Sequence, residues 1–367
     1  MTYLNAGWAG PSPSTVIERM REAADRESAG GPAGPEGQAY VREIESEARV
    51  EAAMLMGVSP EDILLTHGTS EGVNIVIGGL AWEPGDTLLT SSLEHPGITT
   101  PSTLLGDRRG VNVRSVDLSP DASADECISS FRAALSTRVK LVTLSHVMYT
   151  CGLRIPAKEI VNAAHDVGAL VLLDGAQTAG HIALDLTDMG VDFYATSGQK
   201  WLGGPGGTGA LYVRPDRRSE LTPLFRAPGL DFTDGFALYS FASMGAVDRA
   251  GYGEAVRLHN SLGKENVEFH NMSLAKQLRE EMAKIDGLSF TGPISGSTAT
   301  AITTFAIRDW SSGLGTIAFS EALWDRHRLV ARAVLHPDSL RLCTAAFNDD
   351  SDVEAAVVAI KSLAAAN

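Results

Sequence analysis

Up to residue 213, short runs of leucine and β-branched residues alternate with longer segments whose apolar positions recur three and four residues apart. The short runs read as strands: DILLT (62–66), DTLLTS (86–91), VNVRSV (111–116), KLVTLSHV (140–147), ALVLLD (169–174), DFYATS (192–197) and GALYV (209–213). Several are apolar on both faces, as expected of strands covered by helices on each side. The segments between them read as helices. VREIESEARVEAAMLMG (41–57) carries the helical spacing, and PAKEIVNAAHDVG (156–168) opens on Pro156 and closes on Gly168. Strands alternating with helices predict an α/β fold around a mostly parallel, seven-stranded sheet.

Beyond about residue 245 the pattern changes. A long helical region (251–286) precedes shorter strands near 299–307 and 339–344, and a final helix (351–365) follows. This predicts a large domain over 15–245 and a smaller α+β domain made of 1–14 with 246–367. The stretch SAGGPAGPEGQ (28–38) is rich in Gly and Pro and is expected to be a loop near the cleft. No repeat of fixed period is present.

Ligands of such sheets bind beyond the carboxyl ends of the strands, so the chemistry is sought just after each run. Asp174 ends an apolar strand, and a buried carboxylate there needs a partner. A pyridinium N–H is a suitable one. Lys200 follows a strand and a Ser-Gly turn and precedes a glycine-rich run. Its amine suits a Schiff base with an aldehyde, with apolar and cationic neighbours lowering its pKa. Thr69 and Ser70, after Gly68, open a helix where N–H groups and hydroxyls make an anion site. Ser197 lies one turn before Lys200 and adds a hydroxyl. His95 stands after a strand on the same sheet edge and offers a flat ring for stacking and proton transfer. Singly, each has a plainer reading: a strand-end cap, a solvated charge, a helix N-cap, a satisfied buried imidazole. Together they supply a phosphate site, a partner for a ring nitrogen, a ring face and an amine. That set calls for pyridoxal 5′-phosphate.

Composition narrows the class. The 367 residues are 44% hydrophobic and 20% charged, which suits a folded chain with a sizeable core. A net charge of −15, with no basic run, argues against nucleic acid as a partner. Three cysteines, Cys127, Cys151 and Cys343, form neither a disulfide framework nor a zinc-ligand spacing, so no metal is expected. The opening MTYLNAGWAGPSPS has no basic start and no apolar core, and no stretch is long enough to span a membrane. A cytoplasmic protein is expected.

The chain resembles the class V aminotransferases, PLP enzymes of fold type I. That family includes cysteine desulfurases, cystine C–S lyases and isopenicillin-N epimerase-like enzymes. The likeness runs through YLNAGWAGPSP, HGTSEGVN, EPGDTLL, LEHPG, LVTLSHV, LLDGAQTAGH, GVDFYATSGQKWLGGPGGTGALYV and SLRLCTAAFNDDSD, and covers nearly the whole chain. The DGAQ block and the SGQKW block are the most specific. The resemblance implies that Lys200 forms the Schiff base and Asp174 pairs with the ring nitrogen. Gln177 would contact the ring hydroxyl, and His95 would stack on the ring. Thr69, Ser70 and Ser197 would hold the phosphate. It further implies that Arg341 clamps a substrate carboxylate, with Arg332 as a second clamp. A homodimer with a shared active site is implied too, with Ser243 reaching a neighbour's phosphate.

The chain departs from the family in three places. Gln199 replaces the usual histidine before the lysine and can donate a hydrogen bond but cannot carry charge. MYTCG follows SHV where the family often has Asn. The segment where desulfurases keep a mobile cysteine reads AVLHPDSL, with none. Cysteine-type C–S β-elimination therefore ranks first. Amino-acid epimerisation ranks second, and transamination or atypical desulfuration third. A catalytically silent PLP-binding protein is disfavoured by the intact Lys200, Asp174 and His95 set.

Overall fold

The computed structural model describes residues 1–224, 245–308 and 315–365. A two-residue strand, β1 (Thr2–Tyr3), precedes two long helices, α1 (Ser14–Gly30) and α2 (Pro35–Met56). All seven anticipated runs then pair into one sheet. They are β2 (Ile63–Thr66), β3 (Thr87–Ser91), β4 (Asn112–Val116), β5 (Val139–Ser145), β6 (Leu170–Asp174), β7 (Phe193–Ser197) and β8 (Gly209–Val213). Helices α3 (Thr69–Gly79), α4 (Pro96–Arg109), α5 (Ala124–Ala134), α6 (Ala157–His165) and α7 (Leu186–Met189) separate them. The sheet order is β2-β8-β7-β6-β5-β3-β4. Strands β4, β3, β5, β6 and β7 pair in parallel, and β8 runs antiparallel to both β7 and β2. After β7 the chain returns through the glycine-rich turn rather than a crossover helix, so β8 must reverse.

Alternation along these strands divides two cores. Leu141, Leu172, Phe193 and Leu211 face the layer that holds α3 and α4. Val142, Leu144, Val171, Leu173 and Tyr194 face the opposite layer with α2, α5 and α6. Burial on both faces explains why the inner runs lack polar alternation, while β4, at the sheet edge, is exposed at four of its five positions.

The later part of the chain comprises α8 (Ala246–Leu262), α9 (Lys264–Met282), β9 (Leu288–Phe290), β10 (Ile302–Ile307), α10 (Thr316–His327), β11 (Leu329–Val330), β12 (Arg332–Leu335), β13 (Asp338–Cys343) and α11 (Asp350–Ala365). Strands β12-β13-β10-β9 form an antiparallel sheet, while β1 pairs with β11 in parallel. A third core gathers Leu4 with Phe305, Phe319, Leu340, Leu342 and Ile360. We propose a large domain over 15–245 and a small one of 1–14 with 246–367. Leu4 in the third core supports grouping the N-terminus with the later strands. Tyr252, Ala255 and Val256 of α8 pack instead into the core of the large sheet.

Two expectations need correction. The expected loop at 28–38 is much shorter, because α1 runs to Gly30 and α2 starts at Pro35, a residue suited to a helix's first turn. None of its residues lines the cleft described below. The expected single helical region at 251–286 is two helices, broken at Gly263, whose φ of 82° leaves the helical range.

Phe305 is fully buried between β13 and β9 and anchors the third core. Phe305→Ala is expected to lower unfolding free energy by about 3–5 kcal/mol, measured by urea denaturation.

Candidate active site

The carboxyl ends of β2, β3, β6 and β7 open on a cleft of about 490 Å³. Its wall includes Thr69, Ser70, His95, Asp174, Ser197, Gln199, Lys200 and Arg332, all singled out from the sequence, together with Trp8, His67 and Glu71.

Lys200 lies in the turn after β7. The Gly203 N–H donates to its carbonyl at 3.0 Å, and the Gly204 N–H returns to the Gly198 carbonyl at 2.8 Å. A β-carbon at Gly10 would stand 2.3 Å from the Lys200 carbonyl oxygen, so only glycine permits the N-terminal segment to lie there. Burial pulls the Lys200 ammonium down to about 8, and Arg341 and Arg332 push the same way while Asp174 opposes them.

Asp174 ends β6 almost fully buried. Its Oδ1 accepts from the Ala176 N–H at 2.8 Å. No donor among the described residues reaches Oδ2, which is left for a ligand. Burial pushes its carboxyl up, with Lys200 opposing.

His95 caps α4: its Nδ1 accepts from the Gly97 N–H at 2.9 Å, which assigns the ring proton to Nε2. Burial, then Lys200 and the two arginines, hold it down to about 4, so the ring is neutral. Tyr149 meets its edge at 4.8 Å. The preceding Glu94 is also buried and accepts from the Ser91 hydroxyl at 2.6 Å and the Ser145 N–H at 2.8 Å. It thereby ties the ends of β3 and β5 together. Burial raises its carboxyl to about 7.

Three buried polar atoms on this wall have no partner among the described residues: Thr69 Oγ1, Ser197 Oγ and Gln199 Oε1. Buried hydroxyls are nearly always hydrogen-bonded, so the two orphaned hydroxyls, on the wall that carries the first turn of α3, fit a phosphate, whereas the Gln199 oxygen only accepts and needs a donor. Gln177 sits beneath the cleft. Its amide donates to the Gly7 carbonyl at 2.8 Å, and its oxygen accepts from the Trp201 indole at 2.8 Å.

Arg341 and Arg332 are register partners on β13 and β12. Arg341 is fully buried. It donates to the Tyr149 carbonyl at 2.7 Å and the Asn5 side-chain oxygen at 3.2 Å, and its Nε has no partner among the described residues. The Arg332 guanidinium lies 4.3 Å over the Trp8 ring. No carboxylate among the described residues pairs with either arginine. A fully buried cation beside a half-buried one, with no acid among the described residues to pair with them, calls for an anionic ligand. Ser243 lies outside the described residues.

All three cysteines are buried. Burial raises the Cys151 thiol to about 11. The AVLHPDSL segment is the hairpin of β12 and β13, with Leu335 paired to Asp338.

Sequence reasoning did not single out Trp8, His67, Glu71, Asn5 or Glu94. Asn5 and Trp8 lie within YLNAGWAGPSP, a stretch marked only by likeness, and Glu94 directly precedes His95. His67, whose Nδ1 lies 2.7 Å from Glu71, lies with it in HGTSEGVN, likewise marked by likeness.

Fold and cleft together are those of an enzyme that works on a small molecule with an aldehyde cofactor. The family model described as aminotransferase class-V matches residues 2–318, and the chain belongs to that family. A probable cysteine desulfurase from Methanothermobacter thermautotrophicus is 34% identical over 301 residues, 79% of this chain and 74% of that protein. The isopenicillin N epimerase of Amycolatopsis lactamdurans is 29% identical over 387 aligned positions, 99% of this chain and 95% of that protein. A solved cystine C–S lyase, in complex with its product cysteine persulfide, superposes with a TM-score of 0.91. It is 24% identical and covers 98% of this chain and 97% of its own, a likeness of fold. The family's cofactor is pyridoxal 5′-phosphate, and the orphaned hydroxyls, free carboxylate oxygen and buried amine fit it. No described helix is long and apolar enough to cross a membrane.

Imine formation needs the neutral amine. The rate at which apoprotein takes up pyridoxal phosphate, followed by cofactor absorbance, is therefore expected to climb as pH rises through about 8 and then level off, rather than near 10.5.

Proposed function

We propose that this chain is a PLP-dependent lyase that breaks the carbon–sulfur bond of a cysteine-type amino acid by β-elimination. The observation that carries this choice is the burial of every cysteine in the chain, which leaves no thiol to take up sulfur as a persulfide.

The bound cofactor supplies an electron sink for the pair released at the substrate α-carbon. Thr69, Ser70 and Ser197 hold its phosphate by hydroxyls and the α3 N-terminus, and Gln199 adds an amide donor. Asp174 would pair through Oδ2 with the cofactor's ring nitrogen. His95, with its own proton on Nε2, would offer its flat ring for stacking. Arg341 binds the substrate α-carboxylate through its unpartnered Nε, with Arg332 beside it. Lys200, as a neutral amine, takes the α-proton. The β-carbon–sulfur bond then breaks with its electron pair leaving on sulfur, and hydrolysis of the remaining three-carbon unit yields pyruvate and ammonia. We also propose a cytoplasmic homodimer whose active site is shared between the two copies.

Epimerisation is the second reading. It is favoured by the alignment with the Amycolatopsis lactamdurans enzyme, which spans nearly all of this chain. The two readings separate on incubating the holoenzyme with cystine or thioether amino acids, without a 2-oxo acid. Pyruvate and ammonia support the lyase, and inversion at the α-carbon without pyruvate sinks it. Arg341→Lys removes the planar fork, and kcat/KM for the same substrate is expected to drop by about 30- to 100-fold.

A further inference from the structure

Trp8 is 59% exposed, yet the backbone that carries it is tightly held. Its N–H donates to the Asn5 carbonyl at 3.0 Å, and the Tyr3 hydroxyl donates to the Ala9 carbonyl at 2.6 Å. On one side the Gln177 amide grips the Gly7 carbonyl at 2.8 Å. On the other, the Gly10 N–H donates to the Gln199 carbonyl at 2.8 Å. Both glycines are pressed against the floor of the site. A β-carbon at Gly7 would lie 2.9 Å from the Cys343 sulfur, and one at Gly10 would lie 2.3 Å from the Lys200 carbonyl. The backbone that carries the indole is thus fixed relative to Lys200 by its own neighbours in sequence.

Trp8 lines the same cleft as Lys200 and His95. Among the described lining residues it alone offers a large apolar face; the others are polar, charged or small. The Arg332 guanidinium rests over the ring at 4.3 Å, while more than half of the residue is open to water. A large aromatic surface held open at a cleft is most stable when a ligand covers it.

An amino acid anchored by its carboxylate at Arg341, with its α-carbon at Lys200, has only its side chain left to meet that surface. Sulfur and aromatic substituents pack favourably on an indole. We propose that Trp8 is a specificity-determining residue whose indole covers the β-substituent of the substrate. The cleft then prefers amino acids that carry a bulky thioether or disulfide over those with small side chains. The proposal rests on the reading of this cleft as the amino-acid site.

The test uses wild-type holoenzyme, Trp8→Ala and Trp8→Phe, titrated with S-phenylcysteine and with alanine. Kd is read from the absorbance change of the bound cofactor, which does not depend on which bond later breaks. Trp8→Ala is expected to weaken S-phenylcysteine about tenfold and alanine less than about twofold, and Trp8→Phe to restore most of the loss. Equal weakening of both ligands would mean that Trp8 acts only by holding Arg332, and would overturn the proposal. So would no weakening of either. Failure of the underlying reading is distinct: the wild type itself would give no absorbance change with any amino acid, and the proposal would fall with it.

Discussion

Lys200 and Asp174 bring opposite charges into one buried cleft, and burial disfavours the charged form of both. It pulls the amine down toward neutrality and pushes the carboxyl up, while each partner opposes the shift of the other. Arg341 and Arg332 add positive charge with no acid among the described residues to balance it. A site with this balance is incomplete without anions of its own. On the proposed reading, a phosphate and a substrate carboxylate supply that charge. The fold can be read as the means of holding these groups together in a space where water would otherwise weaken their interactions.

Two sheets meet that requirement in different ways. The parallel strands of the large sheet deliver Asp174, Ser197 and the first turn of α3 to one edge, because side chains beyond parallel strand ends converge. The antiparallel hairpin of β12 and β13 delivers the arginine pair from the other side. The N-terminal segment joins them. Asn5 reaches Arg341, Gly7 meets Gln177, and Gly10 lies on the Lys200 turn. Through Gln177, that segment is also coupled to Trp201, which stacks on His181 at 3.8 Å.

Much of this is legible in the sequence, and the reasons differ by element. The inner strands stand out because burial on both faces removes most polar residues from them, and the exposed edge strand β4 by its recurring valines. Asp174 and Lys200 stand out because each is a charge directly beyond such a run. The reversed direction of β8 is not legible, since a run apolar on both faces looks the same either way. Helix α1 leaves little trace, as only Val16 and Ala23 of it are buried. The break at Gly263 is hidden because the helical spacing resumes directly after it. Asn5 and Trp8 escape notice because their importance comes from contacts with Arg341, Arg332 and the Lys200 turn, far along the chain. The pairing of Arg332 with Arg341 is a matter of hairpin register, which local sequence does not determine.

The central claim is that one buried amine, on Lys200, holds the cofactor. Borohydride reduction of the holoenzyme, followed by peptide mass spectrometry, tests it most directly. The account predicts loss of the visible absorbance and a reduced pyridoxyl-phosphate adduct on the peptide containing Lys200. An unlabelled Lys200, or an adduct on another lysine in its place, would contradict it.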